Sequence, residues 1–454
     1  MRMRPLYFLI LACFTFSCTK AQEADFAFTN VNVLTMESEA ILKNQTVLIK
    51  AGKILAIGDA SDISTAASST TVDGSGKYLM PGLAEMHGHI PGNRNMDLLE
   101  ETLFLYLSNG ITTIRGMLGQ PYHIELRDKV LTGEILGPRV YTSGPSINGN
   151  TVRSIAEAKR KVTAQKEAGY DFLKMHPGLT RENFDAVVAT ADEVGIPFSG
   201  HVSIDVGVRR ALEAKYASID HVDGYIEGMV PSSIRVNPNT NGFFGVNFTD
   251  IIDEKILDEL VDMTIKQDVW IVPTQAMMER WVGPEDPDVL AQDAEMKYMD
   301  PSTLNNWIRT KKGVIGAQNY DAEQALKFNE IRRRIIGRLH KAGAKMLLGS
   351  DAPQVFNVPG FSIQRELDAM VRSGLSEFDA LHAGTVNPAK FFNDEGQYGT
   401  IILGADADLI LLDANPLTDI ANMRKQAGVM VRGTWLSASD ITARLEKIAQ
   451  NYSK

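Results

Sequence analysis

Two of the eight histidines in this 454-residue chain, His87 and His89, stand one residue apart in the stretch MPGLAEMHGHIPG (80–92). In an extended strand, residues two apart project to the same face, so two imidazoles at this spacing can converge on one metal ion. Four further residues close short apolar runs in the same way: Lys174 in DFLKMH, His201 in FSGHV, His221 in SIDHV and Asp351 in LLGSD. Taken singly, each has an ordinary reading, the lysine as a snorkelling side chain and the aspartate as a helix cap. All at the same ends of their runs, they read as one site. His176, two residues after Lys174, should face the same interior and touch either a ligand or the substrate. Arg115 and Tyr225 are candidates for binding a substrate carboxylate, with an ion pair to a neighbouring acid as the alternative for Arg115. His123, His340 and His382 lie in helical or loop contexts and receive no chemistry.

Such a site needs strands whose C-terminal ends share one face. Eight strand candidates follow Gly82: GLAEMHGHI, GITTIRGM, PRVYTSG, DFLKMH, IPFSGHV, ASIDHVD, VWIVPT and AKMLLGSD. Amphipathic stretches such as TVRSIAEAKRKVTAQKEAGY and DEKILDELVDMTIKQ separate most of them. This alternation predicts a (β/α)8 TIM barrel over 83–396, with its site at the C-terminal ends of the strands. Strand-like patterns before it (24–82) and after it (397–440) predict one small β-sandwich domain built from both chain ends, followed by a C-terminal helix at 441–454. The segments after the sixth and seventh strands are long enough to shape a pocket. Phe243, Phe244, Met277, Met278 and Trp281 either line that pocket or pack the loops on themselves.

The N-terminus reads MRMRPLYFLILACFTFSC, two arginines and an apolar run too short to span a membrane. Residues 1–17 are expected to be a lipoprotein-type signal peptide, with Cys18 as the lipid-attachment residue. Both cysteines, Cys13 and Cys18, fall in this segment, which leaves none for a disulfide elsewhere. The expected location is therefore the bacterial cell envelope, by a lipid anchor or by plain export. The net charge of −10 argues against nucleic acid as a partner. Self-association stays open.

The set His-x-His, Lys, His, His, Asp on strands one, four, five, six and eight resembles the amidohydrolase superfamily of metal-dependent hydrolases. PGLAEMHGHI is similar to its opening metal motif, while HAGTVNPAKFF and GTIILGADADLILLDANPL are similar to its closing segment. Ala84-Glu85 departs from the Ile-Asp that many members carry. The lysine places the resemblance in the binuclear, prolidase-like branch, near Xaa-Pro dipeptidases and imidazolonepropionase-like enzymes. The resemblance implies two divalent ions, zinc being the expected metal. His87 and His89 would hold the first ion, His201 and His221 the second, and a carboxylated Lys174 would bridge them. Asp351 would touch the first ion and move the proton. Metal-bound water with a pKa near 7 is the nucleophile such sites provide. The implied substrate is a dipeptide or N-acyl amino acid. A lactone, a cyclic amide, a phosphotriester, or a non-catalytic binding lipoprotein are the alternatives.

Overall fold

The computed structural model describes residues 23–453. The signal segment and Cys18 lie outside them. The strands in chain order are β1 (Ala24–Leu34), β2 (Ile41–Lys50), β3 (Lys53–Asp59), β4 (Ser68–Asp73), β5 (Tyr78–Pro81), β6 (Leu83–Gly88), β7 (Ile111–Gly116), β8 (Arg139–Thr142), β9 (Leu173–Met175), β10 (Phe198–Gly200), β11 (Ser218–Asp220), β12 (Trp270–Val272), β13 (Leu409–Leu412), β14 (Gln426–Val431) and β15 (Thr434–Ser437).

Strands from both chain ends pair in the order β15-β14-β13-β5-β1-β2-β3, with β4 added on β1. The junction is the antiparallel pair β5·β13, in which Leu79 faces Leu411. Two-residue alternation sends Phe26 and Phe28 of β1 to one face, where they meet Val47, Ile49, Leu411 and Met430. The Trp435 ring closes on Phe28 edge-on, 5.2 Å between centroids. The small domain expected from both chain ends is formed by these strands. The pairing is one eight-stranded sheet, because the long β1 bonds β2 along one edge and successively β4 and β5 along the other.

The remaining strands run parallel in two sheets, β6-β7-β8 and β9-β10-β11-β12. Their residues are almost all buried, as expected where helices cover the faces. The parallel bridge Ser143↔Phe172 links the two sheets on the β8 and β9 side, and Ile271↔Met346 and Gly88↔Ala352 link them on the other side through the segment 346–352. That segment is the eighth strand candidate, and it forms only isolated bridges. Its peptide groups divide between neighbours: Leu347 donates to Ile271, Leu348 accepts from Met86, and Asp351 donates to His87. Gly349 is the reason it fits, since a β-carbon there would stand 2.6 Å from Val272 Cγ1 and 2.8 Å from the His87 nitrogen.

Helices follow the strands with legible ends. Ile155–Glu167 begins at Ser154, whose side chain accepts from the Glu157 N–H. Arg181–Val194 begins at Thr180 and stops at Gly195, which takes the left-handed conformation (φ 66°). The long segment after β12 is largely helical rather than loop. It contains Gln275–Val282, Pro287–Leu290 and Pro301–Ile315, the last two started by Asp286-Pro287 and Asp300-Pro301. No helix among the described residues is long and apolar enough to cross a membrane.

Candidate active site

The C-terminal ends of β6, β9, β10 and β11 and the segment 346–352 bring the expected residues together. Ligand atoms of His87, His221 and Asp351 lie within 4.8 Å of one another. Asp351 Oδ1 is 2.6 Å from His89 Nε2 and 3.6 Å from His87 Nε2, and Oδ2 is 3.8 Å from His221 Nδ1. Lys174 Nζ is 3.1 Å from His87 Nε2. The rings of His201 and His221 are 4.4 Å apart, as are those of His87 and His221. The tightest group thus takes one histidine from each of the two expected pairs.

Backbone strain helps to aim these side chains. His221, Val222 and Asp351 all have positive φ (63°, 52° and 61°), unusual for non-glycine residues and most so for a β-branched one. The kink has a consequence at β11. Neighbours on a strand should face opposite ways, yet Asp220 and His221 both reach the site.

An oxygen atom stands beside the Nδ1 atom of three histidines. His87 Nδ1 is 2.9 Å from Asp220, His201 Nδ1 is 3.2 Å from Asp223, and His221 Nδ1 is 2.8 Å from the Thr274 hydroxyl. At His201 and His221 the contact is a hydrogen bond, which favours the proton on Nδ1 and leaves Nε2 as the lone-pair donor, whereas His87 Nδ1 faces Asp220 without forming one. The His221 Nε2 atom is buried with no hydrogen-bond partner. Burial, aided by the Lys174 charge, holds His87 well below the usual histidine range and lowers His201 to about 3. His221 is likewise held well below that range by burial, with His201 next in effect. Burial also lowers Lys174 to about 8, against the opposing pull of Asp220 and Asp351. Neutral imidazoles, one unpartnered lone pair and an easily deprotonated amine beside a carboxylate form a donor set that fits divalent metal.

Three expectations need restating. Arg115 does not reach the cleft. It is fully buried, donates to Asp220, Ser218 and the Met86 carbonyl, and so braces the far side of His87. Tyr225 is also fully buried and bonds Thr264, because it opens the short helix Tyr225–Gly228 and turns outward from the strand ends. His176 stacks on His201 at 5.1 Å and bonds the Ser146 hydroxyl at 2.6 Å; burial lowers it to about 2. It supports a candidate ligand rather than the substrate.

Several residues were not anticipated. Asp220 and Asp223 flank His221 in SIDHVDG, and that density of acids was the available signal. Glu85, on β6, accepts from the backbone of His87 and Ser350 and from the Ser350 hydroxyl, tying β6 to 346–352. Arg332 donates to the carbonyls of His221 and Pro273 and to Gln275, fixing the kink from below. Nothing in its helical context distinguished it from a solvated arginine.

A cleft of about 380 Å³ opens onto Asp351 and His201. Phe243, Phe244, Met277 and Trp281 line its apolar side, while Met278 is packed in the core. Asp223, Glu227 and Asn241 also line it.

Residues 78–436 match the amidohydrolase family. An imidazolonepropionase of Idiomarina loihiensis is 22% identical over 425 residues, covering 88% of this chain and 93% of that protein. A 5'-deoxyadenosine deaminase of Methanosarcina acetivorans is 43% identical over 67 residues, 14% of this chain. The chain spans only 15% to 32% of the length of the first three curated relatives it matches. Among solved structures, a Xaa-Pro dipeptidase with bound methionine in its active site superposes with a TM-score of 0.66 at 19% identity, covering 91% of this chain and 99% of the other.

Proposed function

Because the chain belongs to the amidohydrolase family, we propose that it is a metal-dependent hydrolase that cleaves the amide bond of a small peptide or N-acyl amino acid. The observation that carries this reading is the Asp351 carboxylate, set among His87, His89 and His221 at the mouth of a cleft with one apolar wall. The similarity to a Xaa-Pro dipeptidase supports the peptide class. We read the linked parallel strands as a (β/α)8 barrel.

His87, His89, His201, His221, Lys174 and Asp351 would hold two divalent ions, with Lys174 as a carbamate. When bound, such ions make a water nucleophilic near neutral pH and polarise a carbonyl. The chain's own residues do the rest. Asp220, Asp223 and Thr274 orient the imidazoles through Nδ1. The low affinity of Lys174 for its proton supplies the free amine that carboxylation requires. Asp351 accepts a proton on its carboxylate and returns it to the leaving nitrogen. The aromatic wall excludes water and seats an apolar side chain or a proline ring.

Hydrolysis of a dipeptide library by zinc-reconstituted protein, beside a lactone, a cyclic amide and a phosphotriester, tests the reaction class. Metal analysis after loading with zinc and bicarbonate should give about two ions per chain. A firm value of one, unchanged in Lys174→Ala, would replace the binuclear reading by a mononuclear one. Export with lipid on Cys18 is part of the same proposal. Membrane fractionation should be lost in Cys18→Ala, and a wild-type protein without lipid would leave plain export.

A further inference from the structure

Among the residues that line the cleft, Glu227 and Asn241 each carry a buried oxygen that lacks a donor. Glu227 Oε2 and Asn241 Oδ1 are both buried and have no hydrogen-bond partner, and Asn241 is only 4% exposed. One N–H of the Asn241 amide is given to the Gly242 carbonyl, and the amide also opposes the burial that pushes the Glu227 carboxyl up to about 7. The buried arginine nearby, Arg332, spends its donors on carbonyls and Gln275, leaving Glu227 without a direct ion pair among the described residues. Asp223, a neighbouring carboxylate of the lining, is occupied by the Val202 N–H and His201. The loop is shaped around the Glu227 carboxyl: a β-carbon at Gly245 would stand 3.0 Å from Oε2. Among the described residues, no lysine or arginine lines the cleft.

A buried acceptor left unsatisfied costs free energy, so it marks a place where a donor is expected from outside. Among substrate groups, an ammonium offers hydrogen atoms in three directions and a compensating charge. A substrate carboxylate would meet two carboxylates and no cation, which the site penalises. We propose that Glu227 and Asn241 receive a protonated amine of the substrate, so that the enzyme prefers peptides with a free ammonium group over their N-acylated counterparts. The proposal rests on the hydrolase reading above and narrows its substrate class.

Binding and turnover test it separately. Calorimetry with the zinc-loaded protein near pH 8 compares phenethylamine, charged at that pH, with phenethyl alcohol, its neutral analogue. The amine should bind at least tenfold tighter to wild type. Glu227→Gln should abolish that difference while zinc content and thermal midpoint stay close to wild type. Asn241→Ala should reduce it in part, a second variant should the first fold poorly. Equal binding of the two compounds to wild type, or an amine preference that survives in Glu227→Gln because the amine sits on the metal, overturns the proposal. In turnover, a free dipeptide should exceed its N-acetyl form by about tenfold or more in kcat/KM, with the gap closing in Glu227→Gln. Failure of both peptides to react, with the amine preference in binding intact, would refute the hydrolase reading and leave the ammonium site standing. Equal turnover of both forms would overturn the ammonium site and leave the hydrolase standing.

Discussion

The sheet built from the two chain ends and the ends of the parallel strands bury their residues equally well, but with opposite chemistry. In the sheet, Phe26, Phe28, Val47, Leu411 and Met430 are covered by one another, and their burial stabilises directly. At and around the strand ends the buried residues include Glu85, Arg115, Lys174, Asp220 and His221, with Arg332 and Glu366 reaching in from helices. Burial there opposes the charged forms, pushing Glu85 up to about 8 and Lys174 down to about 8. Those groups stay in place because of specific partners, not because of area removed from water. The lesson is that one region can be altered for stability alone, while the other ties stability, metal affinity and chemistry to the same few atoms.

The largest effect should come from Asp351→Asn, which keeps size and an oxygen ligand but removes the proton acceptor. General acid–base groups contribute about 10²–10⁴-fold, so turnover should fall by that factor, about 3–5 kcal/mol, with metal content largely kept. Near wild-type turnover with metal in place would take Asp351 out of the chemistry. Asp220→Asn should join the two kinds of effect. It leaves the Arg115 charge buried beside a neutral partner, for about 3–5 kcal/mol of stability, and loosens His87 enough to weaken zinc about 10–100-fold. Urea unfolding and zinc competition measure the two losses, and a loss of one without the other would separate functions argued here to be coupled. Phe28→Ala in the sheet should cost a similar 3–5 kcal/mol, with zinc affinity unchanged in the molecules that remain folded.

A pH titration sharpens the contrast at lower amplitude. Burial raises Glu366 to about 7 from its ordinary 4.5, against the N–H groups of Ala276 and Gln275 that it accepts. An acid whose pKa rises on folding binds more protons folded than unfolded. Its contribution is therefore lost as pH climbs from about 4.5 to about 7, by as much as ~3 kcal/mol. Relative to wild type, Glu366→Gln should gain stability across that window and level off above it. Parallel unfolding curves at about pH 5 and about pH 8 would exclude Glu366 as a source of pH-dependent stability.

The elements and the candidate ligands were legible because their signals are local. Apolar runs ended by His, Lys or Asp marked the strand ends, and amphipathic stretches between them marked the helices. What was missed depends on contacts across the chain. Asp220 was hidden by the two-residue rule, which a positive φ at His221 breaks. Arg115 offered the right chemistry for a substrate carboxylate, but its acid partner lies 105 positions away, so its burial could not be read locally. Arg332 acts through backbone carbonyls brought under it by folding. The helices after β12 are a different kind of miss, since Asp286-Pro287 and Asp300-Pro301 were readable starts.

The smallest expected effect probes whether the sheet and the site are independent. The helix Ala438–Tyr452 leaves β15 through a capping box, in which Ser437 Oγ accepts from the Asp440 N–H at 3.2 Å and Asp440 Oδ2 accepts from the Ser437 N–H at 3.0 Å. Ser437→Ala removes the first bond and should cost about 1 kcal/mol. The helix has other ties: Ile441 and Ile448 pack with Phe104, Val429 and Trp307, and Tyr452 donates to Glu101 at 2.7 Å. Loss of the cap should therefore fray the first turn without releasing the helix. Hydrogen exchange should accelerate at the amides of Ser439 to Ile441 alone. Zinc affinity and turnover should match wild type, since no residue of this helix touches the cleft. A fall in turnover beyond about twofold, with the helix still docked, would mean that strain passes from the sheet through β13 and β5 to β6, and that the two regions are not separate in energy.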